Sequence, residues 1–99
     1  MRQLELRTTE LDKGKTTYLE LLQTCVRAAP PGGLDLSEME KRLRVLRVLE
    51  EAEKDKKKTV DMEDADVETL QHCVAMFRWT GVHEEILTFL KYIRDLKRA

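Results

Sequence analysis

The sequence predicts a mainly α, single-domain protein of four helices, with a two-stranded β element available between an N-terminal strand and residues 59–62. Three observations carry this. Apolar residues recur at helical spacing in four blocks. Those blocks are separated by Pro/Gly or charged runs, and two of them open on capping-box patterns. Period-two alternation is confined to two short stretches. At 99 residues there is room for one core, so the domain is residues 1–99.

The elements follow in order. Residues 3–8, QLELRT, alternate through Leu4 and Leu6 as a half-buried strand would. Thr8–Lys15 is polar, contains Gly14, and reads as a loop. Thr17-Tyr18-Leu19-Glu20 is a capping box, so a helix runs from Thr17 to about Ala28, with Leu19, Leu22, Cys25 and Val26 on one face. Ala29-Pro30-Pro31-Gly32-Gly33 must end it, because proline disfavours helix before itself and has no N–H to donate.

Ser37-Glu38-Met39-Glu40 has the same capping-box form, predicting a helix from Ser37 to about Lys54. Glu40, Arg44, Arg47 and Glu51 lie within about 60° of one another on it. They are expected to form an i,i+4 ladder on the solvent face. Met39, Leu43, Val45, Leu46, Val48, Leu49 and Ala52 cover more than half the circumference, interrupted by Lys41, Arg42, Glu50 and Glu53, which predicts a helix packed on two sides or one that contacts another chain.

Asp55-Lys56-Lys57-Lys58 is a charged turn, and Thr59–Met62 a second short strand that could pair with Leu4–Arg7. A third helix is expected from about Asp64 to Trp79, with Val67, Leu70, Val74 and Phe77 in register and Gly81 as its C-terminal cap. A fourth spans about His83 to Lys97 through Ile86, Phe89, Leu90, Ile93 and Leu96. Arg94, Lys97 and Arg98 stand where the helix dipole favours cations, and a neutral His83 can cap the start.

Composition removes several function classes. A net charge of −1 argues against a general polyanion binder. Charge is nevertheless uneven: Lys41–Lys58 holds eight basic and four acidic residues, and Thr59–Leu70 holds five acids and no base. No apolar run approaches the roughly 20 residues that span a bilayer. Met1-Arg2-Gln3 leads into alternation rather than a signal-peptide apolar run. Cys25 and Cys73 fall on apolar helical faces, as buried thiols suited to a reducing cytosol.

Asp61, Glu63, Asp64 and Asp66 could offer oxygens to Mg²⁺ or Ca²⁺, but the segment lacks the alternation, turn glycine and terminal Glu of a calcium loop. Acids at a helix start are better explained by the dipole and the orphan N–H groups. His72 and Cys73 project about 100° apart, so they are not expected to share an ion or a proton. A core cysteine beside a surface histidine is the expected arrangement. No catalytic constellation, cofactor motif or metal motif is present, and the chain reads as non-enzymatic.

Arg42 projects from the apolar arc of the second helix, and must find an acid (Glu53 is nearby), reach solvent or face a partner. Phe77, Arg78 and Trp79 cluster at the end of the third helix. Tryptophan and arginine are the residue types most often energetic at interfaces. Closing the bottom of the core against Phe89 is the favoured role for Trp79, and an interface anchor is the alternative. The interface candidates are therefore Arg42, Phe77, Arg78 and Trp79.

The order Pro30-Pro31-Gly32-Gly33-Leu34, Met39, LRVLRVLE, VDMEDAD and Phe77-Arg78-Trp79 resembles short helical accessory proteins encoded by tailed bacteriophages and prophages. The resemblance implies an accessory role in virion assembly or in contact with a host component, in the host cytoplasm or on the virion. From the residues, the function expected is non-catalytic protein–protein interaction, with another protein or with itself; the resemblance implies that such a partner is viral or host. The alternative is nucleic-acid binding through Lys41, Arg44, Arg47, Lys56, Lys57 and Lys58; the acids beside them and the lack of interleaved aromatics weigh against it.

Overall fold

A computed structural model of the chain describes residues 2–9, 16–29, 32–79, 81 and 83–96. Its elements are β1 (Arg2–Glu5), α1 (Tyr18–Arg27), α2 (Leu36–Lys54), β2 (Thr59–Met62), α3 (Asp64–Met76) and α4 (Glu84–Arg94). Among the described residues, four helices and one two-stranded antiparallel sheet make the mainly α domain that the periodicity predicts. The expected Gly14 loop, the Pro30-Pro31 break and the last-helix cations Lys97 and Arg98 lie outside the described residues.

The sheet pairs Arg2 with Met62 and Leu4 with Val60, so Leu4, Val60 and Met62 point into the core. Pairing therefore starts two residues earlier than the Leu4–Arg7 partner expected. Beyond Glu5 the Leu6 N–H still donates to Lys58 O at 2.8 Å, and the backbone then turns to a second neighbour. The Tyr18 N–H donates to Arg7 O at 2.9 Å, and Thr8 bridges Thr17.

The core is built where the helical faces converge. Leu22, Cys25 and Val26 of α1, Val45, Leu49 and Ala52 of α2, and Val67, Leu70, Cys73 and Val74 of α3 are all buried. Phe89 and Ile93 of α4 join them. Tyr18 lies edge-on to Phe89 at 5.0 Å and tilted against Tyr92 at 5.7 Å, tying α4 to α1. The Glu5 N–H donates to the Tyr92 hydroxyl at 2.8 Å, and Arg7 lies 4.4 Å over the same ring.

Helix ends show which local signals won. At α1, Thr17 accepts from the Glu20 N–H as its capping box predicts. At α2, Asp35 rather than Ser37 is the cap, accepting from the Glu38 N–H at 2.8 Å. Aspartate caps at least as well as serine, so the helix starts earlier and Ser37 falls in its first turn. His83 caps α4 through Nδ1, which accepts from the Glu85 N–H at 3.0 Å.

The end of α2 is a Schellman motif. Lys57 N–H donates to Ala52 O, Lys56 N–H donates to Glu53 O, and Lys56 sits at φ 53° where glycine is usual. The ladder expected on α2 does not form: no described ion pair joins Glu40 to Arg44 or Arg47 to Glu51. Arg44 instead bonds Asp66 of α3 at 2.8 Å, because a nearly buried carboxylate is a stronger acceptor than one in water.

Candidate interaction site between the last two helices

The third helix stops at Met76, three residues before the expected end, and Gly81 does not cap it. Phe77 is extended (φ −70°, ψ 134°) after its N–H closes the last helical bond to Cys73 O. In an extended run, residues two apart share a side. Phe77 and Trp79 accordingly meet edge to face at 4.7 Å, and Trp79 reaches Phe89 at 6.1 Å. Breaking the helix is what brings these rings together.

Trp79 therefore does what the core reading asked of it, since it packs against Phe89. It is also only half-buried. Its remaining surface lines a groove of about 580 Å³ between α3 and α4, with Val74, Ala75, Phe77, Leu87 and Leu90. Leu87 is 52% exposed there. His72, Lys91 and Arg94 stand on the rim, which carries no carboxylate among its lining residues. The result is an apolar trough edged by Lys91 and by Arg94, whose guanidinium is paired with Asp95 at 3.0 Å.

Arg78 falls on the other side of the extended run. With Arg42, Phe77, Cys25, Cys73 and Met76 it lines a smaller cavity of about 230 Å³. Arg42 is buried at 4% exposure, and its guanidinium donates to Ala28 O at 2.7 Å and Val26 O at 3.3 Å. These are carbonyls at the C-terminal end of α1, which the helix itself cannot satisfy. Arg42 thus belongs to the interior as a cap for a neighbouring helix. Its nearest carboxylate is Glu38, one turn earlier at 3.9 Å, and not the Glu53 considered from sequence.

Both cysteines are buried free thiols, and His72 is exposed, as their helical bearings predict. Burial pushes the Cys25 thiol up to about 12, with the nearby Cys73 adding to the effect. Cys73 is raised by burial too, and Arg42 opposes the shift. Thiols held neutral in this way are poor nucleophiles.

The acid cluster is divided among structural tasks. Asp64 pairs with Arg2 at 3.2 Å, an ion pair rather than an aligned hydrogen bond. Asp66 takes Arg44, while Asp61, Glu63 and Glu68 are exposed. Glu63 occupies the cap position of α3 without a side-chain capping bond. The helix start is therefore served by charge more than by a hydrogen-bonded cap. Among the described residues no three of His, Cys, Asp and Glu converge as metal ligands would.

The basic residues do not assemble into one face. Lys41 and Arg44 share a depression with Glu38, Glu68 and His72. Arg47 is grouped with Glu50, Glu51 and Lys54, and Lys56–Lys58 form the helix stop described above.

Two polar groups that sequence reading passed over hold α4 in place. Gln71 Nε2 donates to Ile93 O at 3.0 Å, and Arg2 donates to Leu96 O at 3.2 Å. Nothing in the local sequence marks them, since their acceptors lie more than twenty residues away. Leu87 did carry a signal, because it falls outside the apolar register of its helix. No described helix is long and apolar enough to cross a membrane. No family model, curated protein or solved structure matches the chain.

Proposed function

We propose that this chain is a non-catalytic protein–protein interaction module that captures an amphipathic helix in the groove between α3 and α4. The observation that carries the reading is the trough itself: half-buried Trp79 and exposed Leu87 on an apolar floor, under a rim of His72, Lys91 and Arg94. Apolar anchors at helical spacing fit such a floor, and acidic residues flanking them complement the rim. The phage resemblance supplies the setting, an accessory or virion-assembly factor acting on a viral or host protein.

Trp79 is the only tryptophan, so its emission reports directly on the groove. Titration with an acidic helical peptide bearing Leu and Phe anchors at i, i+3 and i+7 is expected to shift that emission to the blue. A basic peptide of the same anchor pattern is expected to bind at least tenfold more weakly. Leu87→Glu should abolish the shift while leaving the helical signal unchanged. Equal binding of both peptides, or no response to either, would overturn the reading.

A further inference from the structure

The structure assigns a second, separate contact surface to the outer face of α2, and we infer that its partner is another copy of this chain bound antiparallel across a two-fold axis. Leu36, Met39 and Leu43 are 73%, 48% and 46% exposed, three of the five large apolar residues so exposed among the described residues. With half-buried Leu46 they follow the spacing i, i+3, i+7, i+10, which is the seam spacing of paired helices. At 100° per residue they span an arc of about 80°, roughly 130° round the helix from Val45, Leu49 and Ala52. Leu36, Met39 and Leu43 therefore stand apart from the face that α2 buries in its own core, while Leu46 borders it.

Charge identifies the occupant. Glu40 and Arg47 flank the stripe on one side, three residues before and four after Leu43. Both are exposed, and neither takes part in a described ion pair. A two-fold contact must be self-complementary: whatever one copy presents, the other presents reversed. With the axis beside Leu43, Leu43 meets its own equivalent and Met39 faces Leu46. Glu40 of each copy then meets Arg47 of the other, twice by symmetry. A parallel pairing would set Glu40 near Asp35, acid against acid, and leave Arg47 without an acid. The flanking charges Glu40 and Arg47 are satisfied in only one of the two orientations, the one in which Leu36 lies opposite Glu50.

The test is charge reversal read by sedimentation equilibrium. The wild-type chain is expected to be a concentration-dependent dimer. Glu40→Arg and Arg47→Glu should each weaken it about tenfold, since each places like charges at two symmetric positions. The double variant should restore the wild-type constant to within about twofold, because both pairs re-form with signs exchanged. Both substituted positions are exposed, and circular dichroism checks that the helices persist. A strict monomer, a dimer indifferent to the single reversals, or a double variant that stays weak would each overturn the inference. Leu43→Glu separates the two surfaces: it should abolish the dimer and leave the Trp79 response to the acidic peptide intact.

Discussion

Arg42 offers the sharpest check on how this fold is held together. Its guanidinium satisfies two carbonyls at the end of α1, Ala28 O at 2.7 Å and Val26 O at 3.3 Å, from a position 4% exposed. A hydrogen bond from a charged donor contributes about 1.5–3 kcal/mol, and the longer bond belongs at the low end. Arg42→Met keeps the aliphatic stem and loses both bonds. It also removes the desolvation of a buried cation, which offsets part of the loss. A cost of about 2 kcal/mol follows. Arg42→Ala adds the lost packing of the stem and should cost about 3 kcal/mol. Arg42→Lys, able to reach one carbonyl, should cost about 1 kcal/mol. The assay is urea unfolding followed at 222 nm, with an unchanged slope and a falling midpoint. In a domain of this size the alanine variant should melt roughly 12–24 °C lower. If Arg42→Ala lies within about 0.5 kcal/mol of wild type, the side chain is not capping α1, and the reasoning fails.

Other outcomes follow from the same structure. Lys56→Gly should stabilise the chain by up to about 1 kcal/mol in urea unfolding, because lysine holds a left-handed conformation there that glycine adopts without strain. Gln71→Ala should cost about 1 kcal/mol and speed amide hydrogen exchange at the end of α4, where Gln71 meets the carbonyls of Ile93 and Leu96. Trp79→Ala should cost about 2 kcal/mol, half the usual price of a buried aromatic, and leave most helical ellipticity in place. Collapse of the whole domain would instead make Trp79 wholly a core residue. Because the native Cys25 thiol is raised above its unfolded value near 9, its burial stabilises the fold fully below pH 9. That contribution should be lost as pH rises from about 9 to about 12. Iodoacetamide at pH 8 should label neither cysteine until urea unfolds the chain.

The parts of the fold that were legible in sequence are those set by neighbours within a turn or two. Thr17 and His83 cap the helices they precede, and alternation places Leu4, Val60 and Met62 on the inner face of a sheet. Where two local signals competed, the stronger one moved the boundary by a residue or so, as Asp35 did against Ser37. The larger error, the end of α3, arose because the apolar register continues to Phe77 while the backbone does not. Aromatic contact between Phe77, Trp79 and Phe89 outweighs another helical turn.

For the contact surfaces, sequence alone picked out Phe77, Arg78 and Trp79 and the unusual breadth of the apolar arc on the second helix. It could not divide that arc into a core face and an outer stripe, because the bearing of a residue says nothing about which neighbour occupies that side. Nor could it place Arg42 beneath the end of α1, or Arg44 on Asp66. Capping and periodicity act through the chain's own hydrogen bonds and twist, so four helices, their starts to within a residue or so, and two strands that pair could be read from the residues in order. Long-range capping, the groove under Trp79 and the exposed stripe on α2 depend on groups brought together through space, and they emerge only once the helices are packed.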